Sequence, residues 1–236
     1  MGMEGIAIMR TTNMGIITMN DARLIRLFSW LSPVFPTGSF AYSQGLEQAV
    51  ARGRTNGEGD LANWLGDLLR HGSAWNDAVF LSLACRHHAV EEKIAELAEL
   101  CLAMASCEER LRELRNQGKS FAQAATPWFP EAEQLPEGFP LPVVCGFACG
   151  RSGIKPQDAI AAWLNTFISN QLQAAIRLSV LGQSGAARIL AMLEPLIAEL
   201  ASLAANASEE DLGSCAFAAE IAAMNHENLQ PRLFLS

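Results

Sequence analysis

Apolar residues recur at every third or fourth position along most of this chain and almost nowhere at every second one, which is the periodicity of helices rather than strands. Leu24, Leu27, Phe28 and Leu31 set one stripe on a helix over 22–31, with Asp21 ahead of it as the N-cap. Asp60 introduces the clearest amphipathic stripe, Leu61, Trp64, Leu65, Leu68 and Leu69. Ile94, Leu97, Ala98, Cys101 and Leu102 form a third. Ile160, Leu164, Phe167, Ile168 and Gln171 mark a long helix that Pro156 starts at its first turn. Ile189, Leu193, Leu196, Ile197 and Leu200 mark another, with Pro195 as a site for a kink. Ser208 to Asp211 fits a capping-box variant ahead of a last helix expected to bury Ile221 and Met224. The pattern predicts an all-α fold: a single multi-helix, orthogonal or bundle-like domain over 22–236.

Two stretches break the pattern. Residues 125–142 carry Pro127, Pro130, Pro136, Pro140 and Pro142 together with Glu131, Glu133 and Glu137. Prolines at that density forbid a helix, and the acids favour water, so a long Pro-rich surface loop inside the domain is expected. Residues 1–21 are rich in methionine but lack a sustained apolar core and a small-residue cleavage site. They are read as a flexible N-terminal extension rather than a signal peptide.

Composition narrows the function. The 236 residues are 50% hydrophobic and carry a net charge of −8, which suits a sizeable core and argues against nucleic-acid binding, where a basic face is needed. No apolar run reaches the ~20 residues that span a bilayer. Six cysteines without a CxxC and without an export signal point to reduced thiols and a cytoplasmic protein. Cys145 with Cys149, and Cys85 with His87 and His88, share local helical spacing and are the alternative metal ligands, but free buried cysteine is common as a small hydrophobe. Enzyme motifs come close and fail. Gly118-Lys119-Ser120 ends like a P-loop, but Glu113 stands where the first glycine belongs. His226-Glu227 begins like HExxH, but the second histidine position is Gln230. No GxSxG occurs, and no intrinsic enzymatic activity is expected.

The most particular segment is Ser32 to Glu47, SPVFPTGSFAYSQGLE. Pro33 and Pro36 fix φ, Gly38 permits a positive φ, Ser39 is placed to cap a helix, and Phe40 and Tyr42 add two large rings. This segment resembles the signature of the urease accessory protein F (UreF) family, roughly SP-x-LP-x-G-x-F/Y-x-x-S-x-GLE. Three further segments carry the same resemblance. Arg110-Leu111-Arg112-Glu113-Leu114-Arg115 with Gly118 is similar to the family's T-R-E-L-R stretch; read for itself, it is a solvated helix face with local charge pairs. Arg177-Leu178-Ser179-Val180-Leu181-Gly182-Gln183 is similar to R-L-x-P-L-G-Q, with Val180 in place of proline and expected to let the helix run on until Gly182 ends it. His226-Glu227 and Arg232-Leu233-Phe234-Leu235-Ser236 resemble the closing HE…RLFRS, departing from it at Gln230, Pro231 and Leu235.

The resemblance implies a non-catalytic maturation factor, a homodimer that bridges UreD (also called UreH) and the GTPase UreG for GTP-dependent nickel insertion into apo-urease. Nickel would be handled by the assembly, with no cofactor and no metal bound tightly here. The alternatives are a regulator that directly activates the GTPase, with Arg177 as an arginine finger, and a nickel-binding metallochaperone using His226 or the Cys85–His88 cluster. Partner-binding candidates are Phe40, Tyr42, Ser43, Glu47, Arg177, Gln183, His226, Glu227, Arg232 and Phe234, with Pro33, Pro36, Gly38, Gly45 and Gly182 as the structural frame. Phe40 and Tyr42 are expected as exposed anchors. Arg177 is expected to pair with an internal carboxylate such as Glu47. The tail 226–236 is expected to order against a partner chain, with folding back onto its own domain as the plainer alternative.

Overall fold

The structure, a computed structural model, describes residues 19–130 and 134–236. The extension expected over 1–21 therefore lies almost wholly outside the described residues, as do Glu131 and Glu133. Among the described residues there are α-helices, short 3-10 turns and no strands. The helices are α1 (Met19–Trp30), α2 (Leu46–Ala51), α3 (Glu58–His71), α4 (Ser73–Arg86), α5 (Glu91–Ala103), α6 (Glu108–Ala125), α7 (Leu141–Arg151), α8 (Pro156–Arg177), α9 (Gln183–Ala204) and α10 (Phe217–His226). The fold is all-α. Helix α1 already runs through Asp21, so that residue lies inside the helix and not ahead of it.

The centre is built by α4 and α7, neither of which the stripe pattern singles out. Helix α4 packs against α3, α5, α7, α8 and α9 and is buried without interruption from Asp77 to Cys85. Helix α7 is buried from Pro142 to Gly150. A helix covered on every side has no polar face, so it leaves no amphipathic signal. Their close approach depends on small residues: a Cβ on Gly146 would run into the Leu81 carbonyl, and one on Gly150 into the Cys85 carbonyl. The striped helices α3, α5, α8 and α9 then cover this pair with their apolar faces, each fully buried Leu or Phe contributing roughly 1.5–3 kcal/mol.

The stretch 125–142 departs from the expected surface loop. Ala125 closes α6, Thr126–Trp128 form a 3-10 turn, and Leu141 and Pro142 open α7. Phe129 and Leu135 are buried, and Phe129 stacks on Trp30 with ring centroids 5.9 Å apart. Trp30 also meets Phe121 edge-on at 5.8 Å. Gly118, the would-be P-loop glycine, sits in mid-helix where a side chain would overlap the Phe139 carbonyl. Its absent side chain makes room for this connection.

Other expectations are corrected in detail. Helix α8 stops at Arg177 and Ser179 turns into the left-handed region (φ 61°), so Val180 does not prolong it. The Ser208–Asp211 capping box is present, but it frames the 3-10 turn Glu209–Asp211 rather than the last helix. Helix α10 buries Ala219, Ala222 and His226, while Phe217, Ile221 and Met224 are exposed. Small residues face inward there because α10 lies close on α2.

Candidate functional site

Four distant segments meet at one junction: the opening motif, the start of α6, the end of α8 and the tail. Gly38 (φ 75°) turns the chain into the 3-10 turn Ser39–Ala41, with no side-chain cap from Ser39. Gly45 (φ 81°) then starts α2, and a Cβ there would lie 2.7 Å from the Ala223 backbone nitrogen. Only glycine satisfies both the left-handed φ and the contact with α10. The cap of α2 comes from Ser43, whose hydroxyl accepts the Glu47 N–H at 3.3 Å.

The tail folds back onto this motif. Leu235 N–H donates to the Ala41 carbonyl at 2.8 Å, and Ser43 N–H to the Ser236 carbonyl at 2.9 Å. The Ser43 hydroxyl donates to the same Ser236 oxygen. Glu47 receives the Leu233 N–H at 2.7 Å on one oxygen and the Phe234 N–H at 3.0 Å on the other. His226, fully buried, lies between Glu47 (Nε2 to Oε2, 3.0 Å) and Glu109 (Nδ1 to Oε2, 2.8 Å). Arg232 closes the set by donating to Glu109 at 2.7 Å. Arg177 donates to the Phe40 carbonyl at 2.7 Å and stacks its guanidinium 4.3 Å above the Phe234 ring, a charged brace between motif and tail.

A second polar layer lies deeper. Arg110 donates to both oxygens of Asp77 at 2.7 and 2.6 Å and forms an ion pair with Glu113 at 2.9 Å. Gln44 donates to Glu113 at 2.9 Å and accepts from the Ser73 hydroxyl at 2.9 Å. Burial pushes the Asp77 carboxyl up, partly offset by the Arg110 charge. Burial works against the Arg110 guanidinium, but Asp77 and Glu113 together hold it above its ordinary range. Removing Arg110 from this cluster would strand two buried carboxylates.

The predicted residues divide into two groups. Phe40 is 72% exposed, and Pro33, Pro36, Gln183, Glu227 and Arg232 are also at the surface. Tyr42, Ser43, Glu47, His226 and Phe234 are buried. Tyr42 is therefore not an exposed anchor: its hydroxyl accepts from Asn116 at 3.5 Å inside the domain. Arg177 does not pair with Glu47, whose oxygens are taken by the tail and His226; its internal partners are a carbonyl and a ring. The tail orders against its own domain: Glu47 accepts its Leu233 and Phe234 N–H groups, and the Phe234 ring is buried beneath the Arg177 guanidinium, an apolar surface that an extended tail would leave in water. Gly182 has an ordinary φ of −98° as the N-cap of α9, so its place does not depend on glycine's conformational freedom.

The sequence reading missed Asp77, Glu109, Arg110 and Glu113 as a buried network. The charged run 108–115 reads as a solvated face, yet Glu109 and Glu113 are buried and face the interior together, as their i,i+4 spacing allows. The usable signal was Asp77, a lone acid inside an apolar helix, which needs a cation from elsewhere. Cys85 lies 3.5 Å from the Ile154 carbonyl, and burial pushes its thiol up to about 12. Among the described residues no group of three or more His, Cys, Asp or Glu side chains is placed to hold a metal ion. No described helix is long and apolar enough to cross a membrane.

A family model described as UreF matches residues 55–194. The chain is similar to the urease accessory protein UreF of Brucella ovis, at 48% identity over 214 residues that cover 90% of this chain and 94% of that protein. Urease accessory protein UreF 1 of Brucella suis biovar 1 matches with the same identity and coverage. UreF of Rhizobium leguminosarum bv. viciae is 44% identical over 215 residues, covering 90% of this chain and 96% of that protein.

Proposed function

The chain belongs to the UreF family of urease accessory proteins, and on that premise we propose that it is a scaffold bridging UreD/UreH and the GTPase UreG during GTP-dependent nickel insertion into apo-urease. It is an accessory protein rather than an enzyme. In this reading it works in the cytoplasm as a homodimer, and nickel is cargo passed through the assembly rather than a resident cofactor.

The observation that carries the reading is Phe40, a large ring 72% exposed on a 3-10 turn whose carbonyl Arg177 holds. Gly38 sets the entrance to that turn. A preorganised aromatic loses little freedom on docking, which is the profile of an interface anchor. Beside it the tail presents Leu233 and Leu235, both exposed. Arg177, engaged by Phe40 and Phe234, fits a brace better than an arginine finger.

Phe40→Ala is expected to weaken capture of UreD or UreG at least ~30-fold, the level of an interface hot spot, with circular dichroism unchanged. Full retention of both partners would remove Phe40 as the anchor. Arg177→Ala separates scaffold from regulator: loss of GTP turnover with UreG still bound would favour direct activation. Equilibrium dialysis of the full chain against nickel, if it gave a sub-micromolar site, would favour the metallochaperone.

A further inference from the structure

We propose that the C-terminal tail is held down by a proton latch: His226 is kept as a doubly protonated ring between Glu47 and Glu109, and the tail loosens as that proton leaves at rising pH. The inference does not rest on the scaffold reading.

Hydrogen-bond accounting carries it. Ionised carboxylates only accept, and a neutral imidazole has a single N–H. Both ring nitrogens of His226 face carboxylate oxygens, at 2.8 Å and 3.0 Å, and the ring is 0% exposed. A neutral ring would satisfy one contact and set a nitrogen lone pair against oxygen lone pairs at the other. With both hydrogens in place each nitrogen donates, and both contacts become charge-assisted.

The same two carboxylates fasten the tail. Glu47 takes the Leu233 and Phe234 N–H groups, and Glu109 takes Arg232. Around the ring, α2 contributes Glu47, α6 contributes Glu109, and the tail contributes Arg232. Cys107 lies beside Glu109 and Glu227, and burial pushes its thiol up, so it stays neutral. Further along α6, Arg110 is committed to Asp77 and Glu113. Two carboxylates, one imidazolium and Arg232 balance to zero; loss of the ring proton leaves one uncompensated negative charge inside the protein.

The sign of the coupling follows. In the docked state the ring holds a proton that a solvent-exposed histidine gives up in the ordinary imidazole range. Docking therefore takes up as much as one proton above that range. Its equilibrium weakens by up to about tenfold for each pH unit once the released state is neutral. Below that range the latch is fully made, until acid reaches the carboxylates.

Amide hydrogen exchange on the full chain tests this, read at Leu233 and Phe234 after correction for intrinsic exchange chemistry. Protection at these amides is expected to fall by up to about tenfold per unit between pH 7 and pH 9, while amides of α4 hold theirs. In Glu109→Gln the carboxamide can donate to a neutral ring, so the slope should flatten. A flat wild-type profile, or an unchanged slope in Glu109→Gln, would overturn the latch. Should that variant not fold, nitrogen NMR of the wild-type ring decides. Two protonated ring nitrogens at pH 7.5 support the proposal, and a neutral tautomer at that pH sinks it.

Discussion

The α4–α7 pair and the junction of the opening motif with the tail are both buried, yet different physics closes them. Helices α4 and α7 meet through apolar side chains and two glycines, with Gly146 against the Leu81 carbonyl and Gly150 against the Cys85 carbonyl. The junction and the layer beneath it meet through Glu47, Glu109 and His226, then Asp77, Arg110 and Glu113. Fit is a matter of volume, and a core can relax partly around a small change. A buried charge has no such freedom, because losing its partner leaves an unscreened carboxylate. The two regions should therefore respond to substitution on different scales.

The largest expected effect is in the polar layer. Arg110→Met should cost about 3–5 kcal/mol, the usual consequence of stranding a buried ion pair, read as a fall in the urea midpoint at unchanged slope. A loss below that of a core methyl would erase the contrast between the regions. In the apolar pair, Gly146→Ala pushes a methyl at the Leu81 backbone and should cost about 1–3 kcal/mol, measured in the same way.

A pH series sharpens the comparison further. Burial raises the Asp77 carboxyl against the pull of Arg110, so the folded protein keeps that proton to higher pH than the unfolded chain does. Stability from this group is greatest below the ordinary aspartate range and is lost as pH rises through the raised value. Urea midpoints taken from pH 4 to pH 7 should carry this falling component, and Asp77→Asn should remove it. The smallest effect is expected at the surface, where Lys93 meets Glu209 at 2.5 Å and Glu96 at 3.2 Å in solvent. Lys93→Ala should leave the midpoint within error.

Much of the periphery was legible in the chain. The Leu61–Leu69 stripe became α3, Pro156 opened α8 at its first turn, and Pro195 was accommodated within α9. Each of these helices has one face in water, and a half-exposed helix writes its orientation into the sequence. Helices α4 and α7 have no exposed face and wrote nothing comparable. For α10 the pattern misled: its large apolar residues point outward, because the alanines beneath are what the contact with α2 admits.

The opening motif was recognisable from its residues, but its meaning was not. Phe40 and Tyr42 are two positions apart and indistinguishable by type, yet one is 72% exposed and the other 8%. The 3-10 turn between them decides that, together with the tail pairing at Ala41 and Ser43.

By itself the sequence determined that the chain is helical, where its amphipathic helices run and which family it belongs to, since periodicity and motif order are local, one-dimensional properties. Only the tertiary structure decided which charges are buried and what they hold. Glu47, Glu109 and His226 are separated by dozens of residues, and nothing local in any of them records that the others will arrive within 3.0 Å.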